Sequence, residues 1–508
     1  MTNEHFDVLI IGAGLSGIGT AVHISQECPG KRLAILERRQ RVGGTWDLFS
    51  YPGIRSDSDM FSFGYDFRPW NDLNTLADGQ SIRSYISETA SEYGVDKLIR
   101  FGIETEQAQW CSEQQHWIVS ARDLDTGLAR HFSCDFLISC TGYYDHKTGY
   151  LPDFPGVEQF QGQCIHPQHW PADLDYRNKR VVVIGSGATA VTLVPALCDK
   201  AQQVTMLQRS PSYVVSVPQQ DPMVSALRKI LPQTWAYRII RGRNISITLA
   251  LYNFCKKFPR AARGLLQFAV KSRLPKDFDM KHFTPKYAPW DERLCAVPEG
   301  DMFRAMSSGK AQVVTDHIDH FTADGIRLKS GKTLAADVII TATGLKVQMF
   351  GNMTVKVDGD VFVPNQSMSY RGVMFENLPN LAMVFGYTNS SWTLKADLIS
   401  RWVCRLLKAM DKKGARQVTP RCNSAEMERL PFINMQSGYI ARVKDQIPKQ
   451  GSERPWKLYQ NYFADMAQLR LASMNDPALE YRSPNQHGYK NPAGSDSREE
   501  SSAVMPNS

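Results

Sequence analysis

Twice in this chain a short apolar run breaks into glycines and resumes as a helical pattern. The first instance is Phe6-Asp-Val-Leu-Ile-Ile11, then Gly12-Ala-Gly14-Leu-Ser16-Gly17, then a helical run to about Gln26. The second is Lys179-Arg-Val-Val-Val-Ile184, then Gly185-Ser186-Gly187-Ala188-Thr189-Ala190, then a helix to about Asp199. A strand that is apolar on both faces must lie inside a parallel sheet covered by helices. Two such units in 508 residues predict an α/β chain with two Rossmann-like dinucleotide-binding domains.

The loop residues state what each unit is for. In the first, Gly12 permits the tight turn, Gly14 lets a pyrophosphate approach the backbone, and Gly17 lets helix and strand pack closely. The helix N-terminus offers N–H groups and a positive dipole end to phosphates. The next apolar run, Leu33–Leu36, ends in Glu37, twenty residues past Gly17, where a carboxylate can accept hydrogen bonds from an adenosine ribose. The corresponding run of the second unit, Gln203–Leu207, ends instead in Gln208-Arg209-Ser210. A cation there suits the 2′-phosphate of NADPH, whereas a carboxylate would select NADH. FAD is therefore expected at the first loop and NADPH at the second.

Between and beyond the loops the chain divides into segments. Gly43-Gly44-Thr45-Trp46-Asp47 places a glycine pair and an aromatic where a flat ring could pack, and Tyr51-Pro-Gly-Ile-Arg55-Ser56-Asp57-Ser-Asp59 crowds opposite charges after a turn. Two apolar strands end alike, in Cys140-Thr-Gly142 and Ala342-Thr-Gly344, which suggests similar crossings between domains. The expected division is a discontinuous FAD domain (1–145 and 330–482), an NADPH domain (146–329) containing a helical insert (222–276), and a disordered tail (483–508). A last core strand falls near 377–386, followed by a helix from about Ser391, a candidate N-cap, to about Met410. That helix start, with Trp392, could face the flavin.

The charge of +8 is concentrated: no acidic residue lies between Asp221 and Asp277, where twelve basic residues alternate with aromatic and aliphatic ones. Two readings stand for this insert, amphipathic helices on an anionic membrane surface or a helical domain with a solvated basic face. No recognition motif accompanies the charge, so nucleic acid is not expected. No run has the roughly 20 apolar residues of a membrane span, and the early first strand leaves no room for a signal peptide, so a cytoplasmic protein is expected. The ten scattered cysteines have no zinc spacing, and no metal is expected. Lacking a close pair, they also exclude a pyridine nucleotide–disulfide reductase.

Together these motifs resemble the class B flavoprotein monooxygenases, and specifically the Baeyer–Villiger monooxygenases. The family pattern F-x-G-x-x-x-H-x-x-x-W-[PD] is met by Phe160, Gly162, His166, Trp170 and Pro171. A second, G-x-W-x-x-x-x-[FY]-P-G-x-x-x-D, is met by Gly44, Trp46, Tyr51, Pro52, Gly53 and Asp57. Within the family the chain looks most like the branches that activate ethionamide and that take part in long-chain alkane degradation. The resemblance implies insertion of one oxygen next to a ketone carbonyl through a flavin peroxide, and oxidation of thioethers. Arg293 matches the arginine that stabilises the anionic intermediates, and Asp57 the carboxylate that orients it. Ser16, Glu37, Thr45, Asp47 and Thr105 fall at FAD contacts; Arg55 and Ser56 fall where NADP meets the flavin. Many relatives carry a lysine before the arginine, whereas this chain has Glu292, so one NADP contact is absent or supplied elsewhere. The substrate is expected to be a small apolar ketone, thioether or long-chain hydrocarbon, with O2; oligomeric state is open. The rival readings are a flavin N- or S-oxygenase without Baeyer–Villiger activity and a non-oxygenating flavoprotein. The Phe160–Pro171 stretch is expected to act as a hinge and latch, not as a catalyst.

Overall fold

The computed structural model describes residues 4–292, 294–424, 426–433 and 438–484. Two parallel sheets organise it. In the first, Glu4–Ile11 runs between Leu33–Leu36 and Ala129–Ser139, parallel to both, and Leu381–Met383 pairs with the far side of Ala129–Ser139. Val8, Leu9 and Ile10 are fully buried, as a strand covered on both faces requires. His116–Asp123 and Ile103–Cys111 extend this sheet in antiparallel fashion, and Trp110 and Trp117 pack edge to face beneath it. The helices Leu15–Glu27 and Trp392–Lys413 pack together. The longer one ends at Gly414, whose left-handed conformation closes its last turn.

The second sheet has five parallel strands in the order Ala311–Thr315, Gln203–Gln208, Arg180–Ile184, Val338–Thr341, Gln163–Ile165. This corrects the boundary at 330. Val338–Thr341 pairs with Arg180–Ile184, so the chain completes the second sheet before it returns to the first. The two crossings then pair with each other, Tyr144–Gly149 antiparallel to Leu345–Val347.

The insert is also placed differently from the assignment of 222–276 to the second domain. Its helices are Pro222–Ile230, Gln233–Lys257 and Pro259–Lys271. Arg241 is buried, and its Nη1 donates to the carbonyls of Phe61 (2.8 Å), Ser62 (3.1 Å) and Gly64 (2.6 Å), while Nη2 reaches Asp397 at 3.5 Å. Tyr237 donates to the Tyr65 carbonyl, and Arg228 to those of Asn71 and Trp70. All these acceptors belong to the first domain. The helix Pro259–Lys271 instead packs on Val214–Val217, and Val270 joins the core of the second domain. The insert is a bracket across both. Among the described residues no helix is long and apolar enough to cross a membrane. The tail from residue 485 lies outside the described residues.

Candidate nucleotide-binding sites

At the first loop, Gly12 has φ +101°, and a Cβ there would lie 2.8 Å from the Cys140 carbonyl oxygen. At Gly17 a Cβ would fall 1.8 Å from the Gly12 oxygen, so only glycine allows the helix to start so close to the strand. Gly12 N–H donates to the Leu36 carbonyl (2.8 Å), which ties the turn to the neighbouring strand. Glu37 is buried at the end of that strand and accepts from the N–H groups of Ala13 (2.7 Å) and Arg39 (2.8 Å). Burial holds its carboxyl above the usual carboxylate range, and these donors offset only part of that rise.

One cleft is lined by Gly12, Gly14, Ser16, Glu37, Gly44, Thr45, Trp46, Asp57, Thr105 and Trp392. These expected positions come from six separate stretches of chain. Gly17 stands beneath the cleft rather than on its wall. Asp47 does not reach it. Arg39 (2.6 Å), Arg41 (3.2 Å) and Arg83 (3.5 Å) pair with Asp47, which lines a neighbouring cleft.

The cleft suits an extended dinucleotide with a flat ring. It runs from Glu37 and Thr105 past the glycine turn to the aromatic side chains Trp46, Tyr143 and Trp392. Tyr143 stacks on Trp392 at 5.4 Å between ring centres. At the start of Trp392–Lys413, the buried polar atoms Asn389 Oδ1, Ser391 Oγ and Thr393 Oγ1 have no hydrogen-bond partner among the described residues. Ser391 occupies the N-cap position, but its hydroxyl makes no capping bond, contrary to expectation. Buried polar atoms without partners are costly, and here they sit beside a cleft that can accept a polar ring edge. Sequence reading missed the cleft residues Tyr143, Tyr144, His146, Gln348 and Tyr387. Only the Thr141-Gly142 crossing hinted at the first three. Burial, then Arg38 and Arg39, push His146 down to about 4.

The second loop repeats the plan. Gly185 has φ +143°, and a Cβ there would lie 2.3 Å from the Ala342 oxygen. Its N–H donates to the Leu207 carbonyl at 2.8 Å. Gly187 and Ala188 are exposed, and a Cβ at Gly187 would meet nothing within 4 Å. Ser186 Oγ accepts from Ser212, while Thr189 hydrogen-bonds the Tyr51 hydroxyl, whose phenol burial pushes up to about 12. Ala190 is buried, and Arg209 and Ser210 are exposed at the end of Gln203–Gln208. Burial raises the Glu292 carboxyl and Arg209 lowers it, so the carboxylate that replaces the usual lysine sits within the field of the expected phosphate-binding cation. Arg55 is engaged by Asp301 at 2.6 Å, and the Ser56 hydroxyl turns into its own loop and donates to the Ser58 carbonyl. The Tyr51-Pro-Gly53 turn meets the second domain directly: a Cβ at Gly53 would lie 2.7 Å from Ala196 Cβ.

The central stretch clasps the paired crossings. His166 Nε2 lies 3.2 Å from the Gly344 oxygen, and its ring fills the space a Cβ at Gly149 would need. Gln168 donates to the Asp145 carbonyl at 2.7 Å, and His169 Nε2 lies 2.9 Å from the Lys147 oxygen. Gly162 is forced by the Asp337 oxygen, 2.4 Å from where its Cβ would be. Phe160 packs on Phe321 and Trp170 on Tyr176, and Pro171 follows Trp170 at the end of the clasp. Arg293 lies outside the described residues; its expected partner Asp57 is in the first cleft.

Residues 6–431 match the flavin-binding monooxygenase-like family. The chain is 53% identical over 484 residues to MymA of Mycobacterium tuberculosis, covering 94% of this chain and 98% of that one. It is 50% identical over 480 residues to the FAD-containing monooxygenase EthA of the same organism, covering 94% and 98%. Among solved structures, an oxidised steroid monooxygenase bound to NADP superposes with a TM-score of 0.75 at 20% identity, covering 94% of this chain and all of that one.

Proposed function

The chain belongs to the flavin-binding monooxygenase-like family and is an FAD-containing monooxygenase, and from that premise we propose that it is a Baeyer–Villiger enzyme driven by NADPH and O2. It inserts one oxygen atom between a ketone carbonyl and its neighbouring carbon, giving an ester or lactone, and also oxidises thioethers. The balance is NADPH, a proton, O2 and the ketone going to NADP⁺, water and the ester. The observation that carries this reading is the convergence of Asp57 with the FAD-type loop in one cleft, with Thr189 of the second loop hydrogen-bonded to Tyr51, six residues before Asp57.

Bound FAD supplies the two-electron transfer between NADPH and O2. The protein's part is to hold and polarise. Glu37 would hold the ribose, and the Gly12–Gly14 backbone and the helix beginning at Leu15 would hold the pyrophosphate. The start of Trp392–Lys413, with Ser390 and Trp392 on the cleft wall, would offer a positive dipole end to a polar ring edge. Arg55, Ser56 and the Ser186–Ser210 face would hold NADPH, with Arg209 for the 2′-phosphate. Asp57 orients Arg293, whose guanidinium stays cationic at any working pH and stabilises the oxyanion that develops on the substrate carbonyl. One such donor is typically worth about 3–4 kcal/mol. Ten free cysteines support a reducing, cytoplasmic setting.

The test is turnover under isotopically heavy O2 with short ketones, long-chain ketones, sulfides and alkanes offered in parallel, read by mass spectrometry. An ester carrying one heavy oxygen is expected from a ketone. Sulfoxide without ester from any ketone would make the protein an S-oxygenase instead. Arg293→Ala should keep flavin reduction by NADPH and lose ester formation by about 100-fold or more.

A further inference from the structure

We propose that the corner between the helices Gln233–Lys257 and Pro259–Lys271 is a docking surface for an anionic lipid bilayer. Among the described residues, nine of the seventeen exposed large hydrophobic side chains fall between 222 and 276. A stretch so short should hold one or two. At the corner, Phe254 and Phe258 lie 5.8 Å apart between ring centres, and both are exposed. On Pro259–Lys271 the stripe Ala262, Leu266 and Val270 is buried against the protein, yet Leu265 and Phe268 face outward, 57% and 71% exposed. A helix that has already buried one stripe has no folding reason to carry a second.

The charges name the partner. Arg241 is buried, Arg228 and Arg263 donate to backbone carbonyls, Arg243 pairs with Asp221, and Lys256 pairs with Asp291. Lys257, Arg260 and Lys271 are exposed beside the apolar side chains, and no ion pair engages them among the described residues. Lys257 lies over the Phe258 ring at 5.5 Å. Aromatic side chains flanked by unpaired cations, with no acidic residue from 222 to 276, suit an interface where rings enter the acyl boundary and cations meet anionic headgroups. A second copy of this chain fits poorly. A two-fold contact would set the same three cations against one another, and interface cores are depleted of charge.

The helix Gln233–Lys257, which ends at this corner, reaches the flavin cleft. Ile245 packs with Tyr387 and Leu394, and Tyr387 lines the cleft. Ile245 lies thirteen residues before Phe258, about 20 Å along the helix, so the bilayer would lie about that far from the cleft wall. For an apolar substrate this is a short route, a consequence that rests on the proposed oxygenation; the docking itself does not.

The test is flotation of the holoenzyme with vesicles of phosphatidylcholine alone or mixed with phosphatidylglycerol. Binding is expected only to the mixed vesicles, and it should weaken with salt. Lys257→Glu/Arg260→Glu/Lys271→Glu and Phe258→Ser/Phe268→Ser should each reduce binding by about tenfold or more. Flavin content and NADPH oxidation should be unchanged in both. Absence of wild-type binding to anionic vesicles, or variants that bind like wild type, would overturn the proposal. So would a dimer, seen by sedimentation, that the phenylalanine substitutions dissolve while vesicle binding stays nil. Failure here would leave ester formation untouched, so the two proposals stand or fall separately.

Discussion

The two glycine loops are built to one plan and finished differently. Each begins with a left-handed glycine whose N–H donates 2.8 Å to the second strand, and each passes over the carbonyl of a crossing strand, Cys140 or Ala342. Each helix starts at an extended glycine with no side-chain cap. Around the first loop, Gly44 approaches Gly14, Trp392 Nε1 donates to Ser16 at 2.8 Å, and Glu37 is buried. Around the second, Gly187, Ala188 and Arg209 are open to solvent. Enclosure suits a group that stays; exposure suits one that must leave after every turnover. The same local fold can serve either role, and the surroundings decide which.

The largest effect is expected at the third loop position. Gly17→Ala should abolish flavin binding and destabilise the fold by about 3 kcal/mol or more, because its Cβ has nowhere to go. Visible absorbance and thermal unfolding would report both, and a yellow, stable variant would refute the packing argument. Arg209→Ala comes next. It should leave flavin content intact and raise KM for NADPH by about tenfold or more while sparing NADH, measured by steady-state kinetics on both coenzymes. An equal loss with the two would remove Arg209 from the 2′-phosphate. The smallest effect belongs to Ala190→Gly, the mirror of the first substitution, which should cost about 1 kcal/mol through helix propensity and a small void, seen as a few degrees in Tm.

Most of this comparison is legible in the sequence, because strand, glycine turn and helix are local signals and Glu37 and Arg209 follow at fixed distances. What failed to show depends on distant partners. Nothing adjacent to Arg241 distinguishes it from eleven other cations in the insert; its burial is decided by carbonyls at 61, 62 and 64 and by Asp397. Arg39 and Arg41 lie near Asp47 in the chain, but the third cation around it, Arg83, comes from another helix. The boundary near 330 was misplaced because two strands that end in Thr-Gly look alike, and only pairing shows that Val338–Thr341 finishes the second sheet. The cleft residues Gln348 and Tyr387 had no motif at all.

The paired crossings Tyr144–Gly149 and Leu345–Val347 carry one more implication. A single peptide link between two bodies leaves them free to swivel about several axes. Here two links are hydrogen-bonded to each other and clasped by His166 near the Gly344 oxygen, and the insert ties the same two bodies at a separate place. Each added tie removes directions in which the bodies could drift apart. A coenzyme that comes and goes therefore meets walls whose spacing does not have to be found anew.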